Sequence, residues 1–190
     1  SYVNPVGLIT DAIDMGYATV CRMQDENGRV VEERYLDANG DPVTRNGHYC
    51  GVSYEYNETS TVITYLDAEE NPIKRSDGYA TIVRTLVDGK PSDDFYYDLD
   101  GQQVPCLGGY YGIHREYSIA GRNISLTFLD KKGCAMCSSS GCAGVTYQCD
   151  IDGIVVGEQY FDTEGNPARS SLGQYGELYQ RNEQGYISQI

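Results

Sequence analysis

Apolar and polar positions alternate along most of this chain, and the alternation is interrupted at regular intervals. Thr61-Val62-Ile63-Thr64-Tyr65, Val30 to Tyr35 and Ile154 to Phe161 carry β-branched and aromatic residues in the period-two pattern of a strand with one buried face. A second set of runs precedes them: Gly16-Tyr17-Ala18-Thr19-Val20, His48-Tyr49-Cys50-Gly51-Val52, Gly78-Tyr79-Ala80-Thr81-Ile82, Gly109-Tyr110-Tyr111-Gly112-Ile113, Gly141-Cys142-Ala143-Gly144-Val145 and Gln174-Tyr175-Gly176-Glu177-Leu178. Each has an aliphatic residue three positions after the Tyr slot. Between the two kinds of run stand turn signals, clearest in Asp25-Glu26-Asn27-Gly28 and Asp150-Ile151-Asp152-Gly153, which suit a type I turn closed by a left-handed residue. The pattern predicts a β-hairpin followed by a return loop, repeated. The only helical expectation falls on Leu8 to Ile13, a short helical turn or an irregular cap on the first unit.

The repeat is fixed by Tyr35-Leu36-Asp37-Ala38-Asn39-Gly40-Asp41-Pro42, which returns in altered form after Tyr65, Tyr96, Phe128 and Tyr160. These anchors are spaced 30, 31, 32 and 32 residues apart, the self-similarity of a repeat architecture. The expected fold is all-β, an elongated tandem array of about six β-hairpin repeats of about 31 residues, forming a single array over residues 1–190. Its units span about 1–34 (partial), 35–64, 65–95, 96–127, 128–159 and 160–190 (partial). A lone hairpin is marginal in water, so neighbouring units must bury the aliphatic column together.

Composition sharpens this in two ways. Tyr numbers 18 against Phe 3 and Trp 0, so the aromatic surface is phenolic. The net charge of -14 repels phosphate backbones and anionic headgroups, which argues against nucleic acid and direct membrane binding. No apolar run approaches the roughly 20 residues of a membrane helix. The chain is expected to be part of a longer polypeptide, because it stops at Tyr186-Ile187-Ser188-Gln189-Ile190 in what reads as the second strand of a unit.

One strand face reads small, aliphatic, then Arg or Tyr, as in Ala18-Val20-Arg22 and Cys50-Val52-Tyr54. Stacked in register, these residues form a column, and Tyr54, Arg84, Arg115, Tyr117 and Tyr147 are the candidate ligand-binding residues on the open face. The competing reading is that their stems cover the core while their polar tips face water.

These motifs resemble the tyrosine-aspartate tandem repeats of bacterial surface and secreted proteins, the group that includes RHS/YD repeats. The matching residues are Tyr-x-Asp-x-x-Gly at Tyr35 to Gly40, Tyr96 to Gly101 and Tyr160 to Gly165, with Gly-Tyr-Ala at 16–18 and 78–80. The resemblance implies extended antiparallel β-structure and an extracellular or cell-surface location in a bacterium. The aromatic-Asp-Gly turns are also similar to Gram-positive cell-wall and glucan-binding repeats. Those use Trp beside Tyr in their pockets, and this chain has no Trp, so no binding residue is carried over from either family.

Seven cysteines stand at Cys21, Cys50, Cys106, Cys134, Cys137, Cys142 and Cys149. Three readings apply: a disulfide framework, with Cys106 joined to Cys134 or Cys137; zinc held by Cys106, Cys134, Cys137 and Cys142; or free thiols, with Cys50 and Cys149 as small apolar fillers. Asp98-Leu99-Asp100-Gly101 and Asp150-Ile151-Asp152-Gly153 match part of a calcium loop without its downstream bidentate Glu. His48 shares a strand face with Cys50 but fills a slot that is usually Gly, and His114 shares a face with Tyr110 and Glu116. Nothing announces an oxyanion site or an oriented base, so no enzymatic role and no cofactor are expected. Asn57-Glu58-Thr59 and Asn123-Ile124-Ser125 fit the glycosylation acceptor pattern. The functional expectation is a non-enzymatic module that binds a protein or glycan surface. A rigid spacer with no ligand is the first alternative, and a cysteine-centred metal or redox site in residues 128–159 is the second.

Overall fold

The computed structural model describes residues 16–45, 48–181 and 187–188. The chain is all-β, and no helix occurs among the described residues. The cap predicted over Leu8 to Ile13 lies outside them. The strands are β1 (Thr19–Gln24), β2 (Val30–Leu36), β3 (Gly51–Tyr56), β4 (Ser60–Leu66), β5 (Thr81–Val87), β6 (Lys90–Tyr97), β7 (Gly112–Tyr117), β8 (Asn123–Leu129), β9 (Gly144–Cys149), β10 (Val155–Phe161), β11 (Gly176–Leu178), β12 (Gln180–Arg181) and β13 (Ile187–Ser188). Odd strands up to β11 follow a Tyr slot, and the even strands β2 to β10 reach an anchor aromatic, as the sequence pattern requires.

The chain divides into two compact units. The first runs through Leu86 and includes Tyr96–Val104; the second takes Val87–Phe95 and everything from Pro105 onward. In the first, β1 to β5 pair antiparallel in chain order. Val20 lies opposite Tyr35, Val52 opposite Tyr65 and Ile63 opposite Ile82. In the second, Asp93–Phe95 of β6 pairs with β7, and β7 to β11 follow in order, while β12 and β13 form a separate pair.

Turn chemistry explains this regularity. Gly28, Gly121 and Gly153 end four-residue turns with φ of 77, 78 and 78°, a region that costs glycine nothing. The register slips by one in the strand pairs beside them, which is the signature of a type I turn with a glycine bulge. β5 and β6 are joined instead by Asp88 and Gly89, with φ of 51 and 74°, a two-residue turn of the mirror-image class.

The anchor motif is a second, self-capping turn. Asp37 Oδ1 accepts the backbone N–H groups of Asn39 and Asp41 at 2.8 and 3.0 Å, and Asp67, Asp98, Asp130 and Asp162 repeat the arrangement. These N–H donors hold the carboxyls of Asp37, Asp130 and Asp162 below the usual carboxylate range. A third turn then returns the chain to the sheet, with Arg45 N donating to Tyr49 O, Arg75 N to Tyr79 O, Cys106 N to Tyr110 O, Ser138 N to Cys142 O and Ser170 N to Gln174 O.

In the first unit the core is a file of rings. Anchor tyrosines and Tyr-slot tyrosines alternate: Tyr17 to Tyr35 at 4.9 Å between centroids, Tyr35 to Tyr49 at 5.8, Tyr49 to Tyr65 at 4.8, Tyr65 to Tyr79 at 6.1 and Tyr79 to Tyr96 at 4.5. These separations lie in the attractive range for tilted and stacked rings. Arg45 and Arg75 roof the file from the return loops. Arg45 lies 5.3 Å from the Tyr35 centroid, and Arg75 lies 4.5 Å from Tyr65 and 5.4 Å from both Tyr49 and Tyr79. Tyr35 is 1% exposed, and Val52, Ile63 and Ile82 are buried beside the file.

Candidate binding site

The five residues expected to bind a ligand are all half-buried and lie on the face that carries the rings. In the first unit Tyr54 faces Ile63 and stacks on Tyr56 at 6.3 Å, while Arg84 faces Thr61. Burial pushes the Tyr54 phenol up to about 12. In the second unit Tyr147 faces Glu158, and burial raises its phenol too.

Arg115 has a structural task. Its Nη2 donates to Asp94 Oδ2 at 2.7 Å, and the two side chains are 16% and 3% exposed. Asp94 holds the slot that is aliphatic at Ile63 and Leu126 and acidic at Glu33 and Glu158, and its buried charge is offset by Arg115. Arg115 Nη1 is buried and has no hydrogen-bond partner.

Arg115 and Tyr117 also line a cleft of about 510 Å³ with Asp88, Lys90, Ser92 and His114. Tyr117 is fixed there because its hydroxyl donates to Pro91 O at 2.7 Å and Lys90 Nζ lies 5.6 Å from its ring centroid. The first unit repeats this latch, with Tyr56 OH on Val30 O at 2.8 Å and Arg29 over the ring at 4.7 Å. His114 Nδ1 lies 2.8 Å from Asp93 Oδ1, and Ser92 Oγ donates to Asp93 Oδ2 at 2.8 Å. The carboxylate therefore stands between hydroxyl and imidazole, whereas an activated serine needs the base as its direct partner. Glu116 stays two positions along β7 on the His114 face, whereas Tyr110 stacks on Phe128 among the rings.

A second cavity, which the sequence pattern did not single out, arises where the ring file fails. Tyr110 stacks on Phe128 at 4.4 Å, but the next Tyr slot holds Cys142 and the slot beyond Tyr160 holds Gln174. The final unit was expected to place Tyr175 in the Tyr slot and Leu178 in the aliphatic one. The hydrogen bond from Tyr160 N to Tyr175 O instead aligns Tyr175 with Cys50, Ala80 and Ala143, one position further along. Glu177 thus takes the aliphatic slot, opposite Glu158. The cavity has a volume of about 280 Å³ and is lined by Phe128, Cys142, Val145, Tyr160, Leu172 and Gln174, with Ser170, Glu158 and Glu177 at its polar side. The alternation of Tyr slots with anchors was readable in the sequence and would have revealed both the file and its break.

All seven cysteines are free thiols. The expected bridge from Cys106 to Cys134 or Cys137 is absent because the three occupy different slots. Cys106 opens the return turn as Arg45 and Ser138 do, Cys134 closes the Asp130 loop, and Cys137 precedes the next turn. Cys50 and Cys142 are buried, whereas Cys149 is exposed and fills no core. No group of three or more His, Cys, Asp or Glu with metal-holding geometry occurs among the described residues. The carboxylates of Asp98 and Asp150, in the turns that match part of a calcium loop, accept backbone N–H groups of their own turns. His48 is a turn residue, its N donating to Arg45 O as Gly78 N does to Arg75 O.

Fold and surface together define an all-β protein of tandem hairpins with a phenolic face. No family model matches the chain, and no curated protein matches it.

Proposed function

We propose that the chain is a non-catalytic recognition module of a bacterial surface or secreted protein of the tyrosine-aspartate repeat kind, and that its ring-bearing face binds a glycan with an acidic group. The observation that carries this reading is the cleft at Lys90, Ser92, His114, Arg115 and Tyr117. It joins an immobilised phenol ring to several hydrogen-bond donors and the Lys90 cation, on a chain whose net charge is -14. A ring edge gives a sugar its apolar contact, the donors meet hydroxyls, and Lys90 meets a carboxylate. The same net charge disfavours dense polyanions such as nucleic acid and anionic membranes, so the acidic group of the glycan is a single carboxylate met locally by Lys90. The module works without metal or cofactor.

Titration of a uronic-acid oligosaccharide into the intact chain, followed by calorimetry, tests the reading. Tyr117→Ala and Lys90→Ala are each expected to weaken binding about tenfold, the scale of one lost ring or charge contact. Unchanged binding in both variants, or no binding by the parent chain, leaves a spacer that holds other domains apart. Arg115→Ala is unsuitable here, because it removes an ion-pair partner from the buried Asp94 carboxylate and so perturbs the fold.

A further inference from the structure

The break in the ring file is a site of its own. In the first unit every position between two anchors is filled by a tyrosine ring: Tyr49 between Tyr35 and Tyr65, Tyr79 between Tyr65 and Tyr96. In the second, Cys142 stands between Phe128 and Tyr160, and its side chain ends well short of a ring. Neighbouring strands lie about 4.8 Å apart, so omitting one rung leaves about twice that between flanking rings, enough for one ring stacked on both sides. The cavity of about 280 Å³ exceeds the roughly 150 Å³ that suffices for benzene in an apolar site.

The surroundings specify what else the occupant carries. The roofing guanidiniums are gone, because the slot of Arg45 and Arg75 is Cys106, Ser138 and Ser170 in the second unit. Ser170 Oγ lines the cavity, is buried and has no hydrogen-bond partner. Glu158 and Glu177 stand directly opposite each other, a like-charge pair that destabilises a sheet, and neither is ion-paired with a described residue. Glu158 accepts the Tyr160 hydroxyl at 2.8 Å, as Glu33 accepts that of Tyr35 at 3.0 Å, yet Glu33 also has Arg22 at 2.6 Å. The second unit thus keeps the acid and lacks the ring and the cation.

We propose that the gap between Phe128 and Tyr160 is a receptor site for an aromatic side chain, a tyrosine by preference, presented beside an arginine or lysine on a partner polypeptide. The ring replaces the missing rung, its hydroxyl reaches polar atoms of the Ser170 kind, and the neighbouring cation relieves Glu158 and Glu177. This site is separate from the Lys90–Tyr117 cleft and goes beyond the glycan reading.

The test uses the intact chain and two capped peptides, Arg-Tyr-Arg and Arg-Ala-Arg, titrated by NMR. The tyrosine peptide is expected to bind about tenfold more tightly, with shifts centred on Phe128, Tyr160 and Leu172, and to weaken as salt is raised. Cys142→Tyr restores the rung from within, so it is expected to abolish this preference and raise the thermal midpoint. Leu172→Lys acts at a residue 83% exposed and leaves the fold intact, and the added cation is expected to weaken the tyrosine peptide about tenfold. Equal affinity for the two peptides overturns the proposal, as does an undiminished preference in Leu172→Lys or in folded Cys142→Tyr. Self-association of the parent chain that Cys142→Tyr removes overturns it in favour of a second copy as occupant. Tyr117→Ala retains peptide binding, so failure of the glycan reading and failure of this one are distinguishable.

Discussion

The two units use one hairpin plan and hold it together differently. The first files tyrosine rings without interruption from Tyr17 to Tyr96 and roofs them with Arg45 and Arg75. The second loses the ring at Cys142 and has Cys106, Ser138 and Ser170 in the roofing slot. Its return loops are linked by backbone instead, Ser139 N donating to Gly108 O at 2.7 Å and Ser171 N to Ser140 O at 2.5 Å. A long guanidinium needs height above the sheet to lie on a ring, whereas serine lets adjacent loops approach until their peptide groups meet. Aromatic packing and loop-to-loop hydrogen bonding are thus alternative ways to cover the same face, and the second accompanies the cavity between Phe128 and Tyr160.

Ring deletions test this difference most severely. Tyr35→Ala removes a ring that is 1% exposed and in contact on both sides, and is expected to cost about 3–5 kcal/mol in denaturant unfolding. Tyr160→Ala removes a ring beside the gap and is expected to cost about 1–2 kcal/mol. Equal losses would mean that the gap has collapsed and that the two units are packed alike. The roof is the next feature to probe. Arg75→Ala removes one guanidinium from three rings and is expected to cost about 1–2 kcal/mol, while Arg169→Ala, over the exposed Tyr175, is expected to change stability by about 0.5 kcal/mol or less.

The mildest probe is pH. Tyr54 in the first unit and Tyr179 in the second are both pushed up to about 12, chiefly by burial, with Glu33 or Glu158 nearby as a further cause. A phenol raised above its ordinary value of about 10 stabilises the fold fully below that pH, and the contribution is lost as pH rises toward 12. Phenolate absorbance of the parent, compared with Tyr54→Phe and Tyr179→Phe, is therefore expected to show neither residue ionising near pH 10. The turn carboxylates act with the opposite sign. Asp37, Asp130 and Asp162 are held down by backbone N–H donors, so their contribution is present above about pH 4 and is lost as pH falls below it. Early ionisation of Tyr179 alone would locate the weaker packing in the second unit.

Most of the strand pattern was legible because it depends on neighbouring residues. The Tyr-x-Asp-x-x-Gly turn is visible in sequence since Asp37 caps its own loop and Gly40 supplies φ of 91° within six residues. Strand alternation puts Tyr54 and Arg84 on the ring-bearing face of the first unit and Arg115 on that of the second. The Arg115 to Asp94 pair was not legible, because it joins residues 21 apart through a register that only paired strands reveal. The frame of the last unit was misread for a related reason. Tyr175 looks like a Tyr slot by residue type, and only its carbonyl, bonded to Tyr160 N, shows that it is not. The ring file is not visible in either motif alone, because its members come alternately from the Tyr slot and the anchor.

Within each unit, strands pair only with their neighbours in the chain, and this has a kinetic consequence. Closing any one pairing requires no loop longer than a hairpin or a return segment, so the entropic barrier that slows most β-proteins is small here. Zipping can start at any hairpin and spread in both directions, and a nick in a single return loop would leave the pairings on either side closed over short distances.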